Sequence, residues 1–267
     1  MKQNKSTIVI TGTSAGIGFA LAEYFGKNGN LVYGLSRKNV DSPYFKTIAT
    51  DITNPEQVQT AISEILKTET RIDVLINNAG MGMVGPVEDA SQEEILKLFN
   101  LNLVGSVQMM SAVLPTMRAQ KFGKIINISS IGSEMGLPFR GFYSASKSAL
   151  DKVTEAIRYE VGVWDIQVCA LHLGDIKTNI ADHRVRSKVS EPYQKIFDKV
   201  YTLMNAHVGE GSEPQEVAKY IENLLQKNSW KAHYYFGKFG QKIGVPLKWI
   251  LPQNFYEKLM KKYNKID

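Results

Sequence analysis

Residues 6–18 read Ser6-Thr-Ile-Val-Ile-Thr11-Gly12-Thr-Ser-Ala-Gly16-Ile-Gly18. The first six form a short apolar run, which reads as a buried strand. Three glycines follow within seven residues, and from Phe19 to Lys27 apolar residues recur at helical spacing. A strand that turns through glycine into a helix brings main-chain N–H groups and the positive helix end close to a pyrophosphate. The spacing is G-x-x-x-G-x-G rather than the commoner G-x-G-x-x-G. Any tight turn favours glycine, so the strand before and the helix after give the motif its weight.

Outward from this unit the alternation continues. Asn30–Ser36, Ile72–Ile76, Lys124–Ile128, Ile166–Leu173 and His233–Phe236 read as strands. Pro55–Lys67, Ser91–Gln120, Tyr143–Val163 and Pro214–Gln226 read as helices, the second opened by a Ser-Gln-Glu-Glu capping box. Short apolar strands without polar alternation are covered on both faces, which makes the sheet parallel. The expected fold class is α/β: a single-domain Rossmann-like doubly wound sheet spanning 1–267. It carries a polar segment over 175–211 expected to act as a mobile lid, and a C-terminal extension over 240–267.

The 267 residues are 43% hydrophobic and 22% charged, which excludes a disordered or fibrous chain. The single cysteine, Cys169, sits in an apolar run and excludes an internal disulfide. The N-terminal apolar stretch is too short for a signal peptide, and no stretch of about 18 uninterrupted apolar residues occurs. The expected location is cytoplasmic. The charge of +6 arises from 32 Lys+Arg against 26 Asp+Glu, with Lys258, Lys261, Lys262 and Lys265 near the end. Nucleic-acid binding would need a basic stripe with a reading motif, and the sequence has none.

The end of the second strand addresses the cofactor. A site for NAD(H) places a carboxylate there for the ribose 2′-hydroxyl. This chain has Ser36-Arg37-Lys38 instead. A serine hydroxyl and a planar guanidinium suit a 2′-phosphate, so NADP(H) is preferred over NAD(H).

Tyr143 and Lys147 are four apart in a helical pattern and therefore share a face. An ammonium beside a phenol favours its anion and lowers a pKa of about 10, which makes the phenol a usable acid or base. Tyr234 and Lys238 have the same spacing in a strand, where four residues span about 13 Å, so that pair reads as structural. The four histidines show no i, i+4 ligand pair, and no metal is assigned. His172, in an apolar strand, reads as a core histidine.

TGTSAGIG at 11–18, NNAG at 77–80, Asn102 within LNLVG, Ser130, and YSASK at 143–147, in that order, resemble the short-chain dehydrogenase/reductase family in its short, single-domain branch. The resemblance implies that Tyr143 is the general acid or base, that Ser130 orients the substrate oxygen, that Lys147 holds the nicotinamide ribose, and that Asn102 anchors a proton-carrying water. It implies cofactor contacts from Gly12, Ser14, Ala15, Gly16, Ile17, Gly18, Ser36, Arg37, Asp51, Ile52, Asn78, Ala79, Gly80, Ile176 and Thr178. One departure stands out: Leu173-Gly174 replaces the family's usual Pro-Gly.

The expected activity is an NADP(H)-dependent interconversion of a carbonyl and an alcohol on an apolar small molecule. Met81, Met83 and residues 135–139 are candidate walls of its pocket, and Tyr193, Phe197, Tyr201 and Met204 are candidate covers from the lid. Two alternatives are an epimerase or dehydratase on the same scaffold, and an NADPH-binding regulatory module. A homodimer or homotetramer is expected by analogy through the two long helices, with Val107, Met110 and Leu114 as contacts. The tail Lys248–Lys262 mixes aromatic, aliphatic and lysine residues. That suits either packing on protein or weak peripheral contact with a membrane.

Overall fold

The computed structural model describes residues 5–178 and 184–266. All of β1 (Thr7–Thr11) is buried, with Ile8 and Ile10 facing one core and Val9 the other. The alternation of side chains across a strand makes every position apolar when both faces are covered. The chain continues through α1 (Gly16–Lys27), β2 (Leu31–Ser36), β3 (Lys46–Ala49), α2 (Pro55–Thr68), β4 (Val74–Asn77) and β5 (Met83–Val84). It then forms α3 (Gln92–Phe99), α4 (Ser106–Gln120), β6 (Gly123–Ser130), α5 (Gly141–Val161), β7 (Ile166–Leu173) and β8 (Val185–Arg186). It ends with α6 (Glu191–Gly209), α7 (Pro214–Leu225), β9 (His233–Phe236), α8 (Phe239–Ile250) and α9 (Gln253–Tyr263).

Seven strands pair in the order β3-β2-β1-β4-β6-β7-β9, all parallel. One face packs Leu21 and Phe25 of α1 against Val217 and Ile221 of α7, and the other is covered by α2, α4 and α5. This is a single-domain Rossmann-type α/β fold. The connections leave β1 in opposite directions, so a crevice opens beyond the carboxyl ends of β1 and β4, where such sheets bind ligands.

A buried polar ladder ties the sheet to the helices behind that crevice. Asn77 Nδ2 donates to Asn127 Oδ1 at 2.9 Å and to the Ser106 carbonyl at 3.1 Å, and Asn127 Nδ2 donates to Thr154 Oγ1 at 2.8 Å. Each of these amides is inside the protein and needs its partners there.

Several elements differ from the sequence reading. β3 is absent from it, because this short edge strand leaves its side chains partly exposed and lacks the apolar run of its neighbours. The helix expected over Ser91–Gln120 has its capping box at Ser91 and Glu94, but is interrupted by a π turn at Asn100–Gly105. Half of its most apolar window is buried, which accounts for an apolarity and length that would also suit a membrane span. The tail is two helices, because residue 251 precedes Pro252 and takes an extended conformation (ψ 145°).

The segment 175–211, of which 179–183 lie outside the described residues, is docked. It contributes β8, pairing with β5, and α6, whose Phe197 and Met204 are buried with Val84. Met110 and Leu114 are buried in their own core, so they do not form an outer contact face. The exposed apolar groove on that side, a cavity of about 370 Å³, is lined instead by Val58, Leu103, Val104, Val107 and Val153.

Candidate active site

Gly12 (φ 74°) and Gly16 (φ 58°) hold left-handed backbone that side chains rarely adopt, which lets the turn after β1 fold tightly. Thr11 Oγ1 accepts from the N–H groups of Asn78 and Ala79, both at 2.9 Å, and Asn78 Nδ2 donates to the Thr11 carbonyl at 2.9 Å. The glycine turn and the NNAG turn are thereby stitched side by side at the mouth of the crevice. Ser14 and Ala15 form the exposed tip. Ala15 caps α1 without a side-chain hydrogen bond, so the helix keeps N–H groups for an anion. Ile17 is half-buried behind it.

A Cβ on Gly18 would lie 2.5 Å from Asn78 Nδ2 and closer still to the Gly12 carbonyl oxygen. One on Gly16 would lie 3.4 Å from Thr178 Cγ2, which places Thr178 across the turn. Ile176 is buried in the core, bridged to Ser212. These closely approached glycines and uncapped N–H groups fit a dinucleotide pyrophosphate.

At the end of β2, Arg37 and Lys38 are exposed, while Ser36 is buried and donates its hydroxyl to the Lys38 carbonyl at 2.7 Å. The serine thus shapes the basic turn, whose exposed cations are Arg37 and Lys38. Asp51 accepts from the N–H (2.9 Å) and hydroxyl (2.7 Å) of Thr53 through Oδ1. The Ile52 side chain packs in the core against Gly105, so any ligand contact falls to its main chain.

The remaining motif residues meet at the ends of β4, β6 and α5. Asn102, on the π turn, accepts from Met81 N–H at 2.8 Å and donates to the Met81 carbonyl and to Ser146 Oγ, both at 3.0 Å. A Cβ on Gly80 would sit 3.1 Å from Asn102 Oδ1 and 3.3 Å from Lys147 Nζ, so the NNAG turn lies directly against both. Lys147 is buried, and its ammonium donates to the Ile128 carbonyl at 2.8 Å. Burial pushes its pKa down to about 8, against the pull of Asp151.

Ser130 Oγ accepts from the Gly132 N–H at 3.0 Å and faces the Tyr143 phenol closely enough to favour its anion. Burial pushes the Tyr143 phenol up. The groups that pull it back are the Ser130 hydroxyl and the guanidiniums of Arg140 and Arg184, in place of the Lys147 ammonium named by the sequence reading.

Three features escaped the sequence. Glu134, His172 and His233 bring ligand-type atoms within 4.8 Å of one another, although no two are at helical ligand spacing. They form a connected network: His172 to His233 at 2.9 Å, His172 to Ser133 at 3.1 Å, His233 to Glu155 at 3.0 Å, and Tyr235 to Glu134 at 2.7 Å. Gln241 of α8 reaches back to Asp175, against Gly174 in the departed Pro-Gly position. Arg140 and Arg184 place their charges near enough to Tyr143 to favour its anion. All but Arg140, which lies three residues before Tyr143, depend on long-range contacts that spacing does not encode. Tyr234 is structural, its hydroxyl accepting from Lys231 N–H at 2.9 Å.

Ahead of α5, Phe139 packs edge-on against Phe197 (5.4 Å) and Tyr193 (6.3 Å), and Phe197 stacks on Tyr201 (5.5 Å). Met83 is buried in β5, while Met135 Sδ accepts from the Tyr256 hydroxyl at 3.3 Å.

The family model described as short chain dehydrogenase matches residues 6–189. A 3-ketodihydrosphingosine reductase of Bacteroides thetaiotaomicron is 37% identical over 254 residues, covering 94% of each chain. An NADPH-dependent 3-dehydrocapnine reductase of Ornithobacterium rhinotracheale is 35% identical over 186 residues, covering 64% of this chain and 66% of the relative. The solved structure of ElxO with NADP bound superposes with a TM-score of 0.72 at 28% identity, covering 86% of this chain and 96% of that one.

Proposed function

The chain belongs to the short-chain dehydrogenase family, and from that membership we propose that it is an NADP(H)-dependent ketone reductase acting on a long-chain apolar substrate, with Tyr143 as the general acid. As a member it is an oxidoreductase using a nicotinamide cofactor. One observation carries the finer reading: the Ser130 hydroxyl beside the Tyr143 phenol, with Lys147 and Asn102 packed against the NNAG turn that is stitched to the glycine turn. The names of the two reductase relatives, for 3-ketodihydrosphingosine and 3-dehydrocapnine, support the substrate class.

Gly12, Ser14, Ala15, Gly16, Ile17 and Gly18 would hold the pyrophosphate, and Asn78, Ala79, Gly80, Ile176 and Thr178 the nicotinamide half. Asp51 and Ile52 would border the adenine half. Bound there, the reduced nicotinamide supplies hydride. Ser130 Oγ holds the carbonyl oxygen, and Tyr143 delivers a proton to it as negative charge develops. Lys147, fixed by the Ile128 carbonyl, offers its ammonium to ribose hydroxyls. Asn102 holds the turn at Met81 and anchors the path by which the proton is replaced.

The 2′-phosphate would meet Arg37 and Lys38, with Ser36 shaping their turn. Arg37→Asp is expected to raise the KM for NADPH by about tenfold or more and to narrow or reverse the preference over NADH, from loss of a charge-assisted contact and a new repulsion. Steady-state kinetics with both cofactors test this. A wild-type enzyme that prefers NADH contradicts it.

The pH dependence has a definite sign. Tyr143, raised by burial, stays protonated as an acid through neutral pH, whereas Lys147 loses its ammonium above about 8 rather than above 10.5. For ketone reduction, kcat/KM, which reports the free enzyme, is expected to fall as pH rises through about 8. A profile flat to pH 10 contradicts this role for Lys147.

The groove over Val104, Val107 and Val153 suits a second copy of the chain as a homodimer or homotetramer. On α8 and α9, Trp249, Ile250 and Phe255 are exposed among Lys248, Lys258 and Lys262, a composition suited to weak contact with an anionic lipid surface where a long-chain substrate resides. The location proposed remains cytoplasmic.

A further inference from the structure

The main-chain carbonyl of Ser130 is the meeting point of a polar chain that runs from the site to the surface. His172 of β7 is fully buried, in register between Ser129 of β6 and Tyr235 of β9. Its Nδ1 lies 3.2 Å from the Ser130 carbonyl oxygen and 3.1 Å from Ser133 Oγ, which is itself 2.7 Å from that carbonyl. Across the ring, Nε2 lies 2.9 Å from His233 Nδ1, and His233 Nε2 lies 3.0 Å from Glu155 Oε1. Two nitrogens on one tetrahedral metal ion would be about 3.3 Å apart. These two are spaced for a proton.

The partners assign the hydrogens. A neutral imidazole carries one N–H and one bare nitrogen. The ammonium of Lys152, 2.6 Å from Glu155 Oε1, holds that carboxyl below its usual range. Glu155 is therefore an acceptor, and His233 Nε2 carries a hydrogen. If both rings are neutral, His233 Nδ1 is bare and His172 donates to it from Nε2. His172 Nδ1 is then bare as well, with its lone pair opposed to the Ser130 carbonyl oxygen. The Ser133 hydroxyl would have to turn to that nitrogen and leave the carbonyl. One added proton removes the conflict. His172 Nδ1 and Ser133 Oγ then both donate to the Ser130 carbonyl, and the proton between the rings belongs to both.

Three carboxylates offset the charge this brings. Besides Glu155, Glu134 Oε1 and Asp151 Oδ2 lie 3.7 and 3.8 Å from His172 Nδ1. Burial lowers the His172 pKa, and Asp151 and Glu134 oppose it. Burial likewise pushes the Asp151 carboxyl up, and both histidines pull it back. Tyr235, stacked on His172 at 4.6 Å, donates to Glu134 at 2.7 Å. The nearby cations are engaged elsewhere: Lys152 pairs with Glu155, Lys248 of α8 donates to the Glu134 carbonyl, and Lys147 donates to the Ile128 carbonyl. The His233 side chain is 27% exposed, so the proton exchanges with solvent at that end.

Resting on the ketone-reductase reading, we propose that His172 and His233 hold one proton in common, and that the loaded pair positions Ser130 through its carbonyl. The pair touches no substrate and gives it no proton. With the proton bound, two donors fix the carbonyl and the Ser130 hydroxyl is held toward the substrate oxygen. With the proton lost, both donors leave and the serine is released at the end of β6.

The test follows NADPH-dependent reduction of octadecan-3-one by the whole chain across pH. Wild-type kcat/KM is expected to fall about tenfold as pH rises through the imidazole range, roughly pH 5–7. This limb lies below the fall near 8 that belongs to Lys147. His233→Gln keeps a donor for Glu155 but cannot share a proton. In it the lower limb is expected to vanish, with kcat about a tenth of the acid-side wild-type value and the dissociation constant for NADPH unchanged. His172→Asn offers an amide donor to the Ser130 carbonyl without titrating. It is expected to restore kcat to within about threefold and to stay flat over the same range.

A wild-type profile without the lower limb, or a limb that persists in His233→Gln, overturns the proposal and leaves the ketone-reductase reading standing. An equal loss at every pH in both variants marks a purely structural role and overturns it too. Nitrogen-15 NMR of histidine-labelled protein reads the pair without turnover. A third N–H across the two rings, gained at one common midpoint and absent from His233→Gln, is expected. Rings that titrate separately, or no third N–H down to about pH 5, overturn the shared proton. The shared proton present with no ketone reduced overturns the reductase reading, and the positioning role with it.

Discussion

Tyr143→Phe is expected to lower the rate of ketone reduction by about a thousandfold, within the range that a positioned general acid contributes, while leaving NADPH binding in place. The substitution removes one oxygen. Contacts made by the main chain at this position, such as the hydrogen bond from Ser146 Oγ to the Tyr143 carbonyl at 2.8 Å, do not involve the phenol. Ser130 Oγ keeps its bond from Gly132 N–H at 3.0 Å. Lys147 remains held by the Ile128 carbonyl. The proton donor alone is lost, so kcat should fall with the dissociation constant for NADPH nearly unchanged. Single-turnover rates and cofactor fluorescence separate the two quantities. A variant retaining more than about a tenth of the wild-type rate would show that another group supplies the proton.

Gly18→Ala is the second large effect, and it acts through the cofactor cradle. The added methyl meets Asn78 Nδ2 at 2.5 Å and comes closer still to the Gly12 carbonyl oxygen, distances that neither neighbour can tolerate. Relief requires the glycine turn to move away from the NNAG turn and to break the bonds between Asn78 and Thr11. Overpacking of this kind costs about 1–3 kcal/mol. A lowered unfolding temperature and a cofactor affinity weakened at least about tenfold are expected. Gly162→Ala is the matching control, because its Cβ would meet nothing within 4 Å and its φ is −60°. If both variants bind NADPH as the parent does, the glycine turn is not the cradle.

The fold was legible wherever periodicity and burial coincide. Ile8, Val9 and Ile10 are apolar in succession because both faces of β1 are covered, and that pattern predicts a parallel sheet. β3 was illegible for the converse reason, since its partly exposed side chains carry no such run. The capping box at Ser91 marks where α3 begins, but nothing local marks the π turn that presents Asn102 to Met81. Such widened turns are common at functional sites. Here the packing of Gly105 on Ile52 accompanies it, a contact between residues far apart in sequence.

The site divides in the same way. Glycines, the NNAG turn, Ser130, Tyr143 and Lys147 lie at fixed places along strand ends and one helix, so their order alone brings them together. Ser36 is a partial miss: its hydroxyl is used inside its own turn, leaving the exposed cations of Arg37 and Lys38. Arg184, Gln241 and the His172–His233 pair come from distant segments, and Arg140, three residues before Tyr143, belongs to none of the motifs. Residue type at those positions gives no warning.

The most direct test is the fate of a hydride. Wild-type protein would be incubated with NADPH carrying deuterium at both C4 positions of the nicotinamide and with a long-chain aliphatic 3-ketone, and the products read by mass spectrometry. One deuterium on the carbinol carbon of the alcohol, matched one for one by NADP⁺ formed, is the expected result. Tight NADPH binding with no deuterium in any product would contradict the assignment of this chain as a ketone reductase.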